Sequence, residues 1–537
     1  MGNGDTTVLD EEQFDRLARY GVEEEAGAGQ DLYASGDSSY DFFLLRTATV
    51  DVVRDATAVQ PERVVYRRGP GEFLGELNLL TRQHVYLTAR VTSPGTVVRI
   101  TTGALRRVLA EQVDIADVLI EAFRARRETM RASAASALEI VGLAEAADSL
   151  ALRTYATQML LPHSWFDAAS VSGQALMRAA GVERADLPVT VLGERVLTQT
   201  TPGALAEALG LTYQERSCTP DLVVVGAGPA GLAAAVYAAS EGLATVLLDG
   251  SGLGGQAAKS ARIENYLGFP QGVSGEHLTR LAMVQALKFG VQIYSPCKVV
   301  DLDLTGERPA VLLQDGTRIV TSAVIAATGA RYRSLDLAGW EHFERSGCIR
   351  YAATELDVRG YEGQPVAVVG GANSAGQAAL SLVARGCTVH LLVRGTDLRS
   401  RMSAYLANRI EAHPAIHVRT GSTVHALDGE QTLRSIVVTG AGKPERLDCR
   451  GLFCFIGASP EADWLRGVAK DENGFVLTDC RVPGGEQGAP LPFQTSAPRV
   501  FAVGDIRSGS IKRVATAVGE GASAVSSVHA ALAVAVR

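Results

Sequence analysis

DLVVVGAGPAGLAAAVYAASEGLATVLLD, Asp221 to Asp249, is the stretch whose reading decides the fold. Leu222 to Gly226 is an apolar run with three valines and reads as a buried parallel strand, while the small residues from Ala230 to Gly242 read as a helix lying close on it. Between them stand Gly226, Gly228 and Gly231 in the spacing GxGxxG. Gly226 lets the strand turn sharply, Gly228 lets backbone approach a pyrophosphate, and Gly231 lets helix and strand touch. The helix then presents its free N–H groups to those phosphates. A second strand, Thr245 to Leu248, ends in Asp249, 23 positions after Gly226, where a ribose hydroxyl needs an acceptor. The glycine spacing alone would also suit an unliganded turn. Strand, turn, helix, strand and acid together specify dinucleotide binding.

The bounds on the rest are broad. A chain of 537 residues exceeds one core and implies about three or four domains. Hydrophobic residues at 47% and charged residues at 20% describe a globular protein, and a formal net charge of −8 offers no basic footprint for nucleic acid. The acidic N-terminus lacks the apolar core of a signal peptide, and no run reaches the ~18 apolar residues of a spanning helix. The expectation is a cytoplasmic protein without membrane or nucleic-acid partners. Seven cysteines are scattered singly with no CxxC, which removes the common zinc and redox spacings, and no metal site is expected.

Residues 1–135 form the first expected domain. Alternating strands at Tyr40 to Val53 and Ala89 to Ile100, the turn Gly69-Pro70-Gly71, and helices from Thr102 to about Arg131 suggest a small β-barrel closed by helices. The segment Pro70 to Val91 resembles the phosphate-binding cassette of cyclic-nucleotide-binding domains, with Gly75-Glu76-Leu77 in the ribose-phosphate turn. It departs where the ligand would be held. Val85 stands where that family places its phosphate-pairing arginine, Arg82 and Arg90 are out of register, and Thr47 replaces a glycine. Without a bidentate cation the phosphate loses its main anchor, so a structural or docking role is expected. Residues 136–216 are similar to the back half of a thioredoxin fold, with Leu187-Pro188-Val189 in the place of that fold's cis-proline. No cysteine precedes Glu215, so this part cannot do thiol chemistry.

Residues 217–337 and 465–537 resemble, end to end, the FAD domain of the low-molecular-weight thioredoxin reductases. The resemblance rests on Gly254-Gly255-Gln256, then Glu264-Asn265-Tyr266 with Gly268-Phe269-Pro270, then Ala326-Ala327-Thr328-Gly329, and finally Phe501 to Asp505. It implies FAD as cofactor, held by Gly226, Gly228, Gly231, Asp249, Gly254, Gln256, Asn265, Gly329, Gly504, Asp505, Arg513 and Val514, with Asp505 on the ribityl chain. A helix from Ala515 would point its positive end at the flavin N1 and O2 edge. A homodimer through this domain is also implied.

Residues 338–464 repeat the strand, turn and helix logic from Val366 to Gly376. The resemblance implies NADPH or NADH here, on Gly370, Asn373, Ser374, Ala375, Arg394 and Arg399. Ala372 stands at the central glycine, and the basic cluster for a 2′-phosphate is thinned.

The decisive departure is Tyr351-Ala352-Ala353-Thr354-Glu355, where the reductases carry Cys-Ala-Thr-Cys. Disulfide reduction needs an attacking thiolate and a resolving thiol, and Ala352 and Glu355 supply neither. Three readings stay open. The first is an FAD oxidoreductase that takes hydride from NAD(P)H and passes electrons to an external acceptor or small-molecule substrate. The second is an FAD oxidase or dehydrogenase without nicotinamide, and the third is a non-catalytic flavin-containing regulator. Glu355 is the candidate catalytic acid or base, since burial against a flavin would raise its pKa. The overall expectation is an α/β fold with two Rossmann-like domains, preceded by a β-barrel domain and a small thioredoxin-like domain.

Overall fold

The computed structural model describes residues 9–534 apart from 38, 57–60, 76–77, 82–83, 133–137, 145, 194, 215–218, 259, 261–262, 264–265, 352, 354–357, 359, 441 and 484–489. Two compact units result, one of Met1–Gly329 with Glu461–Arg537 and the other of Ala330–Pro460.

The first unit begins with two four-stranded antiparallel sheets. One runs in the order Val22–Ala26, Gly95–Ile100, Phe42–Leu45, Phe73–Leu74, the other Asp31–Tyr33, Thr88–Ser93, Thr49–Arg54, Arg63–Arg68. The strands Phe42–Leu45 and Thr49–Arg54 are buried along nearly their whole length instead of alternating, and aromatic residues fill the barrel: Phe42 stacks on Phe73 at 5.4 Å and meets Phe123 edge-on at 6.4 Å. Phe123 comes from the helix Val113–Ala132, which follows the helix Thr102–Glu111, capped by the Thr101 hydroxyl.

A four-stranded mixed sheet comes next, His163–Asp167, Leu138–Gly142, Val189–Leu192, Arg195–Leu197, with one parallel and two antiparallel pairings. The Leu187–Pro188 bond is cis, as the thioredoxin-like reading expected. These segments do not stand apart. Their buried residues are continuous with the core of the sheet that follows, the Tyr155 hydroxyl donates to the Ser295 carbonyl oxygen at 2.6 Å, and Lys288 pairs with Asp117 at 2.9 Å.

That sheet is five-stranded and parallel, ordered Gln292–Tyr294, Thr245–Leu248, Leu222–Val225, Ala323–Ala326, Val500–Ala502. Its central strands are buried throughout, which explains their unbroken apolar runs. The helix Pro229–Ser240 covers it and packs on the last helix, Val514–Val534, which starts one residue before the sequence suggested. The contact is backbone-close: a Cβ at Gly521 would run into the Ala230 carbonyl oxygen.

The second unit carries its own five-stranded parallel sheet, Ile349–Arg350, Gly451–Cys454, Pro365–Val369, Thr388–Val393, Ile416–Thr420. A three-stranded antiparallel meander, Thr423–Gly429, Leu433–Thr439, Glu445–Asp448, packs beside it. No described helix of the molecule is long and apolar enough to cross a membrane.

Candidate functional site

In the first unit the candidate residues gather at the C-terminal edge of the parallel sheet, where open α/β folds hold ligands. Gly226 has φ +103°, and a Cβ there would strike the Ala327 carbonyl oxygen, so only glycine makes this turn. A Cβ at Gly231 would strike Gly226's own carbonyl oxygen, which seats the helix against the strand. Above Gly228 there is open space, with nothing within 4 Å of where its Cβ would lie. Gly254 donates its N–H to the Ala227 carbonyl oxygen at 2.8 Å, and a Cβ at Gly255 would fall 3.1 Å from the Gly228 Cα, so the Gly254–Gln256 loop borders that space. Gln256 is exposed on the short helix Gly255–Ala258.

Asp249 holds this loop in place. Its Oδ2 accepts from Ala227 N at 2.8 Å and its Oδ1 from Ser251 N and Gly252 N at 2.9 Å each. A carboxylate oxygen has room for a second donor, so Asp249 keeps capacity for a ribose hydroxyl while bracing the turn.

Gly504 and Asp505 approach from the other side. A Cβ at Gly504 would fall 2.9 Å from the Ala230 Cβ, which brings the Gly504–Ile506 turn onto the start of the fingerprint helix. Glu520, buried on the last helix, fixes that turn by accepting from Gly504 N at 2.7 Å, Arg507 Nη2 at 2.8 Å and the Ser510 hydroxyl at 2.8 Å. Sequence reasoning missed Glu520, although a lone carboxylate in a small apolar helix was its signal. Asp505 itself has no hydrogen-bond or ion-pair partner among the described residues. Burial raises its pKa above the ordinary carboxylate value, with Lys512 opposing. A half-buried carboxylate without a described partner, beside open space at Gly228, fits a polyhydroxylated chain linked to a pyrophosphate. Gly329 lies at the end of the strand Ala323–Ala326, where the Thr328 hydroxyl donates to the Glu461 carbonyl oxygen at 2.6 Å. Arg513 and Val514 stand at the start of the last helix, and Asn265 lies outside the described residues.

The second unit repeats the turn with changed chemistry. Gly370 has φ +144°, with its Cβ position 2.5 Å from the Phe455 carbonyl oxygen. Ala372 caps the helix Asn373–Val383 in extended backbone, with Ser374 exposed and Ala375 buried in its first turn. Asn373 Oδ1 accepts from Ser403 N at 2.8 Å, so its side chain braces the neighbouring loop. Arg394 is exposed at the end of the strand Thr388–Val393. Arg399 departs from its expected role. Its guanidinium is bidentate on Glu411, at 2.7 Å for each bond, and donates to Asn408 Oδ1 at 2.7 Å, which ties its charge down inside the unit. Arg401, two residues on, belongs to no motif that would mark it in the sequence; it is exposed and has no acid paired with it among the described residues.

Among the described residues the cysteines stand singly. Cys297, Cys348, Cys387, Cys449 and Cys454 are buried and unpaired, and Cys480 is exposed and unpaired. Burial pushes the Cys297 thiol up to about 11 and those of Cys449 and Cys454 to about 12. Cys218, Ala352 and Glu355 lie outside the described residues.

In the N-terminal barrel Val85 is buried, and Arg90 is spent on Asp31 at 2.9 Å and Glu62 at 3.0 Å. Buried Arg126, on the closing helix, donates to the Gly75 carbonyl oxygen at 2.8 Å and lies 4.3 Å over the Phe73 ring. The cassette is thus tied to its own helix by an internal cation. Glu76, Leu77 and Arg82 lie outside the described residues.

The pyridine nucleotide-disulphide oxidoreductase family model matches residues 220–521, and the cyclic nucleotide-binding domain model matches residues 23–112. A thioredoxin reductase from Treponema pallidum is 32% identical over 315 residues, covering 58% of this chain and 95% of that protein. A component of the alkyl hydroperoxide reductase of Pseudomonas aeruginosa is 31% identical over 340 residues, covering 62% of this chain and 61% of that protein. The crystal structure of a thioredoxin reductase from Streptococcus pyogenes aligns with a TM-score of 0.49 at 28% identity, covering 59% of this chain and 99% of that one. With the family model spanning more than half of its length, the chain belongs to the pyridine nucleotide-disulphide oxidoreductase family.

Proposed function

We propose that the protein is an FAD-dependent oxidoreductase that takes hydride from NAD(P)H and delivers electrons to an acceptor outside the chain, without reducing disulfides. The observation that carries the reading is Asp505: a half-buried carboxylate with no described partner, set by Glu520 beside the open space at Gly228. Bound FAD would supply the two-electron chemistry. The chain would contribute the turn at Gly226 to Gly231 for the pyrophosphate, Asp249 for the ribose, Asp505 for the ribityl hydroxyls, and the N-terminus of the helix Val514–Val534 for the ring's electronegative edge.

The rejection of disulfide chemistry rests on Ala352 and Glu355 at the family's cysteine positions, and on unpaired thiols that burial keeps protonated. Arg394 and Arg401 are the exposed cations offered to a 2′-phosphate, which favours NADPH over NADH. A homodimer through the FAD-binding part is proposed with it, on family resemblance. A second reading, an FAD oxidase or dehydrogenase without nicotinamide, is favoured by the methyl of Ala372 and by the capture of Arg399 by Glu411.

Anaerobic stopped-flow mixing of the purified yellow protein with NADPH and with NADH separates the two. Rapid loss of flavin absorbance supports the first reading; no loss with either nucleotide supports the second. Extraction of FMN in place of FAD would overturn both. Turnover of a protein disulfide by the reduced enzyme would overturn the rejection of disulfide chemistry.

A further inference from the structure

The second unit has a cleft at the end of its sheet opposite the Gly370 turn. It lies at the starts of Ile349–Arg350, Gly451–Cys454 and Pro365–Val369, while Gly370 follows the end of the last of these. Five residues of strand put the two ends about 17 Å apart. The cavity of 360 Å³ is lined by Arg350, Arg450, Tyr361, Gln364, Thr432 and Cys348 among others, and none of the described residues lining it is acidic.

Two glycines open the space for its side chains. A Cβ at Gly347 would fall 2.9 Å from Arg350 Nη2, and a Cβ at Gly451 would fall 2.6 Å from the Tyr361 ring. The Tyr361 hydroxyl donates to the Gly347 carbonyl oxygen at 2.8 Å and lies beside the Arg350 guanidinium, which fixes where that cation points. Arg350 Nε is nonetheless buried without a hydrogen-bond partner. A buried donor left unmatched costs free energy, and a guanidinium whose task was packing would be expected to meet a carboxylate. Glu362, next to Tyr361 in the chain, turns back to accept the Gly360 N–H at 2.7 Å.

We propose that this cleft binds a phosphate group, with Arg350 and Arg450 supplying the charge and Gln364 and Thr432 supplying neutral donors. Two guanidinium groups match a dianion in charge and in fork geometry better than a single carboxylate would. The site is separate from the dinucleotide turn and needs nothing from the first unit. Its proximity to the strand that leads into Gly370 makes it a place from which a phosphorylated small molecule would bias the nucleotide end of the same sheet.

The test uses the full-length, FAD-loaded protein titrated with inorganic phosphate by calorimetry at fixed ionic strength in chloride buffer. Saturable binding is expected, weakened at least about tenfold in the Arg350→Gln, Arg450→Gln double variant and retained in Arg394→Gln. Absence of saturable binding, or binding that survives the double variant and disappears in Arg394→Gln, overturns the proposal. A parallel titration with glycerol phosphate identifies the source: tighter binding than phosphate points to an organic phosphate, equal binding to the free anion. Should the double variant fail to fold, the wild-type cleft still reports through Cys348. In a Cys480→Ser background, saturating phosphate should slow alkylation of Cys348, mapped by mass spectrometry, several-fold; an unchanged rate overturns the site.

Discussion

The turn after Leu222–Val225 and the turn after Pro365–Val369 differ by a methyl group at two of three equivalent positions. Gly226 and Gly370 both adopt positive φ with a carbonyl oxygen where a Cβ would be. Gly228 and Ala372 both cap their helices in extended backbone, φ −73° and −102°, a conformation open to any residue, so the difference between them is the methyl itself and not the chain path. At the third position a Cβ on Gly231 would strike the Gly226 carbonyl oxygen, whereas Ala375 carries a buried methyl group there. Around the first turn Asp249 braces the backbone and Asp505 has no described partner; around the second, Asn373 and Arg399 are consumed by Ser403, Asn408 and Glu411. The same motif has been kept as a ligand cradle in one unit and drawn partly into structure in the other.

The largest expected effect breaks the first turn. Gly226→Ala forces a positive φ on alanine and drives its methyl into Ala327, and should destabilise the holo-protein by roughly 3 kcal/mol or more in chemical denaturation. Ala375→Gly in the second unit should cost about 1 kcal/mol, as an ordinary helix glycine. Equal losses would mean that the two turns are not distinguished by packing.

Asp505→Asn should weaken FAD retention on the order of tenfold or more, read from flavin content after gel filtration. The same change should stabilise the flavin-free protein at neutral pH. Burial raises the folded-state pKa of Asp505, so its contribution to stability is full below the unfolded carboxylate value and is lost as pH rises through the raised one. The melting-temperature advantage of the variant over flavin-free wild type should therefore shrink as pH falls through the raised value and level off below about 4. A variant less stable than wild type at neutral pH would assign Asp505 an unseen partner.

Ala372→Gly should sharpen the second turn. Removing one methyl at the phosphate approach is expected to lower the KM for NADPH by about tenfold, with little change in the limiting rate of flavin reduction. No response would move the second unit toward the nicotinamide-free reading.

The smallest effects separate the arginines. Arg399→Ala should lower the melting temperature slightly and leave the ratio of NADPH to NADH efficiency as it was, because Glu411 holds its charge. Arg401→Ala should lower that ratio several-fold. The opposite pattern would return the 2′-phosphate to Arg399.

Much of this was legible in the chain. Leu222–Val225 and Thr245–Leu248 are central, fully buried strands, and such strands announce themselves as unbroken apolar runs. The helices Thr102–Glu111 and Val113–Ala132 fall where the pattern put them. What stayed hidden was side-chain pairing between neighbouring elements, 12 to 16 residues apart in the chain. Glu520 was invisible as the brace of Gly504 because the bond joins segments only when the last helix packs on the first. Arg399 looked like a free cation because Glu411, 12 residues on, gave no sign of facing it.

The sequence by itself determined the two glycine turns, the acid after the first, the cis-proline segment, the loss of the paired cysteines and the valine in the cyclic-nucleotide cassette, because each is a matter of which atoms a position owns. Only the tertiary structure decided which polar groups remain available: Asp505 left without a partner, Arg399 spent, Arg126 turned onto Gly75, Arg350 held beside Tyr361 with its Nε unmatched. A charge is usable only if nothing else in the fold has already paired with it, and that is set by packing between segments that lie far apart in the chain.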